Sequence, residues 1–270
     1  MKQITVFHEK SAERIFSNPV CRNTHLGCLD LADLPDTGGI IVLDDSAPVN
    51  ILMGFQPAAK GIVWLHSFYC SCDPKGYDLS SALKQCGLPG PLSIYTISSH
   101  RWYSSLLEQN GFRLNDEIIQ FETPDIHLPQ KVPAIHSEPF LIEQSEAVRK
   151  ACEQAFPPLW RQGTAEFEKT CRISNYRRFI SGRSGIIGYL LADITEDNCH
   201  IMRIAVHPDL QKRGLASAMV DQLIRYSTEK GISNFSVNTN KNDLPAIAFY
   251  TSLNMKKTGD VFPVFYKHIG

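Results

Sequence analysis

The stretch RIAVHPDLQKRGLASAMV, residues 203–220, carries the groups best suited to hold an anion. A strand-like run ends at His207-Pro208, and helical spacing resumes through Gln211-Lys212-Arg213-Gly214-Leu215-Ala216-Ser217. The first turn of a helix presents backbone N–H groups with no intrahelical acceptor, and the helix dipole adds to their pull on negative charge. Gly214 lets a ligand approach the backbone where a side chain would block it, and Ala216 keeps the third position small. Lys212 and Arg213 place two cations at the same end. Such a turn suits a pyrophosphate. It is not a Walker turn, since no Gly-Lys-Ser/Thr follows, and it is not a GxGxxG turn, since one glycine stands alone.

The elements around this turn are legible from periodicity. Ahead of it lie a short apolar strand at 140–142, a helix at 145–155 with Ser145 as N-cap, and a helix at 164–173. Strands at 177–181, 186–194 and 200–206 follow and can form an antiparallel meander. After Gly214, Leu215, Met219, Leu223 and Ile224 recur at helical spacing until Gly231, which reads as a helix-ending C′ glycine. A strand at 235–238, a helix at 244–253 with Pro245 in its first turn, and strands at 255–258 and 264–268 close the chain. A mixed sheet with helices on both faces is implied.

The residues QKRGLA after AVHP resemble the acetyl-CoA signature of the GNAT acetyltransferases, Q/R-x-x-G-x-G/A. A second family signature, Asn-x-x-Ala-hydrophobic-x-hydrophobic-Tyr, is similar to Asp243-Leu244-Pro245-Ala246-Ile247-Ala248-Phe249-Tyr250. The resemblance covers roughly residues 140–270. It implies that Ile204, Ala205 and Val206 pair their backbone with the pantetheine arm. The amides of Lys212, Arg213, Gly214, Leu215, Ala216 and Ser217 would hold the pyrophosphate, and Gln211, Asn238, Asn242, Asp243 and Tyr250 complete the cofactor-binding set. Tyr250 would be the catalytic acid at the thioester sulfur, a role typically worth about 10²–10⁴ in rate. A backbone N–H on the fourth strand would polarise the carbonyl.

Two positions depart from the family pattern. Asp243 stands where many members have a cofactor-contacting Asn, which leaves that contact to Asn242, Asn240 or a water. Many members also carry a Glu base in a Glu-Ile-x-Val run on the fourth strand, and here the run reads Arg203-Ile204-Ala205-Val206. His200, His207, Asp193 and Glu196 are the substitutes in that region.

The first half repeats the element order: strands at 40–43, 51–55 and 62–68, a helix at 79–86, a strand at 92–97, a helix at 101–109 and a strand at 117–121. WYSSLLEQNGF at 102–112 parallels FYTSLNM at 249–255, which indicates an internal repeat. The first half lacks the anion-binding turn. At the corresponding place it has Gly76 alone, with Asp73 and Asp78 where negative charge would repel a pyrophosphate. Its expected work is to complete the sheet and wall the acceptor cleft. Trp102, Tyr103 and His100 are candidates for that wall, with ordinary packing the preferred reading of the aromatic pair.

The fold class expected is α/β (α+β), with two GNAT-like halves in tandem, each a mixed, mostly antiparallel sheet flanked by helices. The division expected is a degenerate domain at 1–125, a Pro-rich linker at 126–138 and a catalytic acetyltransferase domain at 139–270. The linker rests on the four prolines of residues 123–139. Function is read as transfer of acetyl from acetyl-CoA, as cosubstrate, to a primary amine on a small molecule or a peptide N-terminus. Alternatives are a non-catalytic acyl-CoA sensor and a tandem-type aminoacyl or longer-acyl transferase. A net charge of −1 gives no field for nucleic acid or anionic membrane, and neither is expected as a partner. The eight cysteines, without an apolar leader in MKQITVFHEK, point to buried thiols in a reducing cytoplasm. Cys70 and Cys72 lack the spacing and the second pair of a zinc site, so no metal is expected.

Overall fold

A computed structural model describes residues 21–24, 49–55, 61–70, 73–85, 91–126, 132–183 and 185–270. The chain forms two compact units, one of residues 1–117 with 262–270 and one of residues 118–261. The expected strand at 40–43 and Cys72 lie outside the described residues.

The first unit holds β1 (Cys21–Thr24), β2 (Val49–Phe55), β3 (Ile62–Cys70), α1 (Leu79–Gln85), β4 (Leu92–Ile97) and α2 (Arg101–Gln109). Strands β1 and β2 run antiparallel to β3, and β3 runs parallel to β4. The next partner of β4 is the end of the chain, Val264↔Ile97 through Ile269↔Leu92, antiparallel. Helix α2 buries Tyr103, Leu106 and Leu107, spaced on one face, against Leu65, Phe68, Ile94, Leu79 and Leu83. The Tyr103 hydroxyl is satisfied by Thr96 Oγ1 at 3.2 Å, so Tyr103 is a core residue. His100 stacks on Trp102, and Trp102 packs on the same cluster.

The second unit contains β6 (Ser137–Pro139), α3 (Ser145–Ala151), α4 (Thr164–Ile173), β7 (Tyr176–Gly182), β8 (Gly185–Ile194) and β9 (Cys199–Val206). They are followed by α5 (Leu215–Thr228), β10 (Phe235–Asn240) and α6 (Leu244–Ser252). Within this unit lie residues 118–123 of β5 (Arg113–Thr123), paired antiparallel with β10. Strands β7, β8 and β9 form the expected antiparallel meander, and β6 adds an antiparallel strand beside β7. The near-continuous apolar run of β8 has a direct cause. Tyr189 and Leu191 pack with Val148, Phe167 and Cys171 of α3 and α4, whereas Leu190 and Ala192 pack with Met219, Val220 and Leu223 of α5. Successive side chains point to opposite faces, so a strand covered on both sides reads as apolar throughout.

Several boundaries differ from the sequence reading. The strand expected at 140–142 lies at 137–139, where Ser137 and Pro139 pair with Ile180 and Arg178 of β7. Ser145 does not cap α3, because a 3-10 turn at Ile142–Gln144 runs directly into the helix and leaves Ser145 buried inside it. That helix stops at Ala151, with a separate 3-10 turn at Glu153–Ala155. The strands expected at 255–258 and 264–268 are one strand, β11 (Lys256–Ile269), which carries Gly259 and Pro263 without ending at either. The division of the chain also departs from the linear one: residues 118–123 belong to the second unit and 262–270 to the first.

Of the proline-rich segment, residues 132–137 are fastened down. Gln222 of α5 donates Nε2 to the Ile135 carbonyl at 3.1 Å and bonds the Ser137 hydroxyl through Oε1.

Candidate active site

Strands β9 and β10 are parallel neighbours at only three positions, Phe235↔Cys199, Ser236↔His200 and Val237↔Ile201. Beyond these, β9 continues to Val206 and β10 to Asn240 without pairing to each other. Their outer edges stay in ladders, Gly188↔Val206 on one side and Asn240↔Ile118 on the other. A wedge therefore opens beside Met202 to Val206, a stretch of β9 that does not pair with β10. That stretch can pair with an extended ligand carrying amides, as a sheet edge accepts an added strand.

The anion-binding turn lies at the end of β9. The 3-10 turn Pro208–Leu210 is followed by Lys212 with φ 60° and Gly214 with φ 78°, so the backbone turns left-handed twice before α5 begins. The first backbone bond closing α5 runs from Ala218 N–H to Gly214 O, which leaves the amides of Leu215, Ala216 and Ser217 without an intrahelical acceptor. Gln211 Nε2 donates to the Val206 carbonyl at 3.2 Å and ties the turn to its strand. The side chains of Lys212 and Arg213 are exposed at the same end. A Cβ on Gly214 would come within 2.9 Å of Pro133 Cδ. Glycine is thus required there twice, by φ and by the strapped segment over it.

Tyr250 is buried on α6 against Phe121 and Phe249, with ring centroids 6.0 and 5.4 Å away. Burial, with the Asp243 carboxylate adding to it, raises the pKa of the phenol. Burial thus favours the protonated phenol. Asp243 accepts from Ala246 N–H at 3.1 Å as the N-cap of α6. Asn238 and Asn242 are exposed, the first on β10 opposite Gln120 and the second just before Asp243.

The substitute bases are dispersed. His200 bonds Ser236 Oγ at 2.8 Å through Nδ1 and lies on the paired part of β9, opposite Asp193. Burial lowers its pKa against an opposing pull from Asp193, so it is neutral at pH 7. Glu196 is exposed in the turn after β8. His207 closes β9 with its N–H on the Ile187 carbonyl at 2.8 Å and its Nδ1 3.8 Å from Asp209 Oδ2. The buried thiols Cys152, Cys171 and Cys199 are pushed up to about 12, 12 and 11 by burial, which removes them as nucleophiles.

Arg203 occupies the strand position of the missing Glu, and its guanidinium is fixed from three sides. Nη2 donates to the Trp160 carbonyl at 2.8 Å, Nε donates to the Tyr189 hydroxyl at 3.2 Å, and the group lies 3.8 Å over the Phe156 ring. A small pocket opens beside it, walled by Arg149, Glu153, Phe156, Arg161, Gln162, Phe167 and Tyr189. The sequence reading did not single out Trp160, Arg161 or Gln162. Their only signal was an Arg-Gln pair in a Pro- and Gly-bounded loop at 157–163.

Residues 145–255 match the Acetyltransferase (GNAT) family. This segment is a GNAT domain. Over 103 residues the chain is 26% identical to a [ribosomal protein bS18]-alanine N-acetyltransferase of Escherichia coli K12, covering 38% of this chain and 67% of that protein. It is 28% identical over 81 residues to human N-acetyltransferase 8, covering 29% of this chain and 36% of that one. A GCN5-related N-acetyltransferase from Sphaerobacter thermophilus superposes with a TM-score of 0.56 at 16% identity, over 85% of this chain and 79% of that one. A tandem GNAT protein from the clavulanic acid biosynthesis pathway gives 0.54 at 12% identity, over 86% and 81%. The shared fold is thus a mixed α/β one with a mostly antiparallel sheet and helices.

Within the GNAT domain Asp243 is committed to capping α6. Asp243→Ala should lower stability by about 1 kcal/mol, the usual worth of an N-cap, while changing acetyl-CoA affinity less than twofold or so. Thermal unfolding and calorimetry on the same samples check this. A large loss of affinity with unchanged melting would return Asp243 to the cofactor site.

Proposed function

We propose that this chain is an N-acetyltransferase that moves acetyl from acetyl-CoA to a primary amine by direct transfer. The observation that carries this reading is the wedge between β9 and β10 leading into a Gly214 turn whose amides are unclaimed. Acetyl-CoA, as substrate, supplies an activated acyl group on a leaving thiolate. In this reading the edge from Ile204 to Val206 aligns the pantetheine arm, and the amides from Lys212 to Ser217 receive the pyrophosphate. The amine nitrogen forms the new C–N bond at the thioester carbonyl, the C–S bond breaks, the thiolate takes the Tyr250 proton, and the amine proton passes to solvent. Arg203 in place of a carboxylate base favours one second reading, an acyl-CoA-binding protein without turnover. Thiol release from acetyl-CoA across a panel of primary amines separates the two. Tight binding with no release above the amine-free rate would overturn the enzymatic reading, and faster release from a longer acyl donor would move it to a different acyl group.

We also infer that the first unit is a degenerate second copy. The orders β3-α1-β4-α2-β5 and β9-α5-β10-α6-β11 agree, and the first strand pair is parallel in both. Helices α2 and α6 end on one pattern: Phe112 N–H to Leu107 O around Gly111, and Met255 N–H to Tyr250 O around Asn254. Leu107 thus stands where Tyr250 stands. At the start of α1, Asp78 Oδ1 accepts from Ser81 N–H at 2.9 Å, so a carboxylate already takes an amide that a phosphate would use.

A further inference from the structure

The charges around the Arg203 pocket are unequally spent. Arg149 is consumed: it binds both Glu146 oxygens, at 2.9 and 3.0 Å, Glu153 at 3.2 Å and the Gln162 carbonyl at 3.2 Å. Arg161 uses only Nε, on the Phe156 carbonyl at 2.9 Å. Among the described residues neither Arg161 nor Arg203 has a carboxylate in salt-bridge contact, and each keeps N–H donors without an acceptor. Two carboxylates lie close by: Glu153 in the pocket wall, which Arg149 holds at 3.2 Å, and Glu166 in the first turn of α4, on which both Arg203 and the Gln162 side chain act. Burial raises the Glu166 carboxyl pKa, and Arg203 pulls the other way, which weakens it as a partner.

Gln162 supplies the opposite polarity. Its Nε2 donates to Thr170 Oγ1 at 2.9 Å, and the Thr170 hydroxyl donates in turn to the Glu166 carbonyl at 3.0 Å. Because that hydroxyl proton is spent, the amide of Gln162 can face Thr170 only with its NH₂. Its carbonyl Oε1 is buried with no donor on it. A buried acceptor left unpaired is a standing cost that a ligand N–H can remove.

We propose, building on the acetyltransferase reading, that this pocket is the acceptor subsite and that it selects a primary amine bearing a carboxylate, held by Arg161 and Arg203 with an N–H of the acceptor on Gln162 Oε1. Planar guanidinium groups match a carboxylate in shape as well as charge. Phe156, Phe167 and Tyr189 leave about 10 Å³ of free space, room for one water, so an entering carboxylate has to part these walls. Arg203 stands on the same part of β9 that borders the wedge, so the subsite adjoins the strand that aligns the acyl donor. A fixed cation there also disfavours a protonated amine, which keeps the attacking nitrogen neutral without a strand carboxylate.

The test uses the full chain with matched acceptors: α-amino acids, their carboxamides, and phosphoethanolamine. The expected result is a kcat/KM for the carboxylates at least about 10-fold above the carboxamides, carried by KM, as loss of one charged contact predicts. Arg161→Gln should bring the carboxylate-to-carboxamide ratio toward one by raising KM for the carboxylates, and Arg161→Lys should restore part of it. Equal use of carboxylate and carboxamide, or an unchanged ratio in Arg161→Gln, overturns the subsite. A preference for phosphoethanolamine overturns the carboxylate assignment. Ligand-observed NMR of the amino acids without acyl donor is read in parallel. Binding that weakens in Arg161→Gln with no turnover on any amine would sink the acetyltransferase reading and keep the subsite, so the two failures are distinct.

Discussion

Gly214→Glu should abolish measurable acetyl-CoA binding, a loss of about 100-fold or more if two charge-assisted bonds to the pyrophosphate are forfeited. Three effects converge at this residue. The φ of 78° is one that side-chain-bearing residues adopt at a cost of roughly 1–2 kcal/mol. The new Cβ meets Pro133 Cδ at 2.9 Å, and the new carboxylate adds negative charge next to the amides proposed for the phosphates. Only the last effect is electrostatic, so Gly214→Ala is the control, since it shares the backbone strain and the Pro133 contact without the charge. Calorimetry should show Gly214→Ala weakened and Gly214→Glu silent, with both folded by circular dichroism. Unchanged affinity in folded Gly214→Glu would remove the turn from the cofactor site.

Local signals were read from the sequence where one residue type settles the backbone. Gly214 and Gly231 bracket α5, and the bonds Gly231 N–H to Thr228 O and Ile232 N–H to Ser227 O close it as a C′ glycine should. The helix expected at about 101–109 is likewise α2, and it turns Tyr103, Leu106 and Leu107 to the core. Partner choice was not legible. Nothing in the alternation of Ile119 and Phe121 says that they pair with β10, or that residues 264–269 pair with β4, since every half-buried strand presents the same pattern. Gly259 and Pro263 gave a false stop in β11: both are turn residues by type, yet the strand passes through them, and the Pro263 carbonyl still accepts from Ser98 N–H at 2.9 Å. Among the residues proposed for the site, the turn and Tyr250 were visible because their spacing is a motif. Arg161 and Gln162 were not, because their role depends on a loop brought against β9 by the packing of Phe156 and Phe167, and no local pattern encodes that.

Tyr250→Phe should lower kcat by about 10-fold or more with acetyl-CoA affinity nearly intact, because the change removes one hydroxyl and leaves the ring that fills the core between Phe121 and Phe249. Phenylalanine keeps the same ring volume and the same neighbours, so a loss of turnover without a loss of thermal stability isolates the proton. The pKa sign gives a second check. Burial raises the phenol above its ordinary value near 10, so the acid form persists throughout neutral and mildly alkaline solution. The ratio of wild-type to Tyr250→Phe turnover should accordingly stay flat from about pH 7 to 10.5, whereas a phenol titrating at its ordinary value near 10 would bring the ratio down toward one above about pH 10. A positioning role would instead show as a raised KM for the acceptor with kcat retained. If mutant and wild type release CoA at the same rate under saturating acceptor, Tyr250 is a core aromatic and the thiolate is protonated by water.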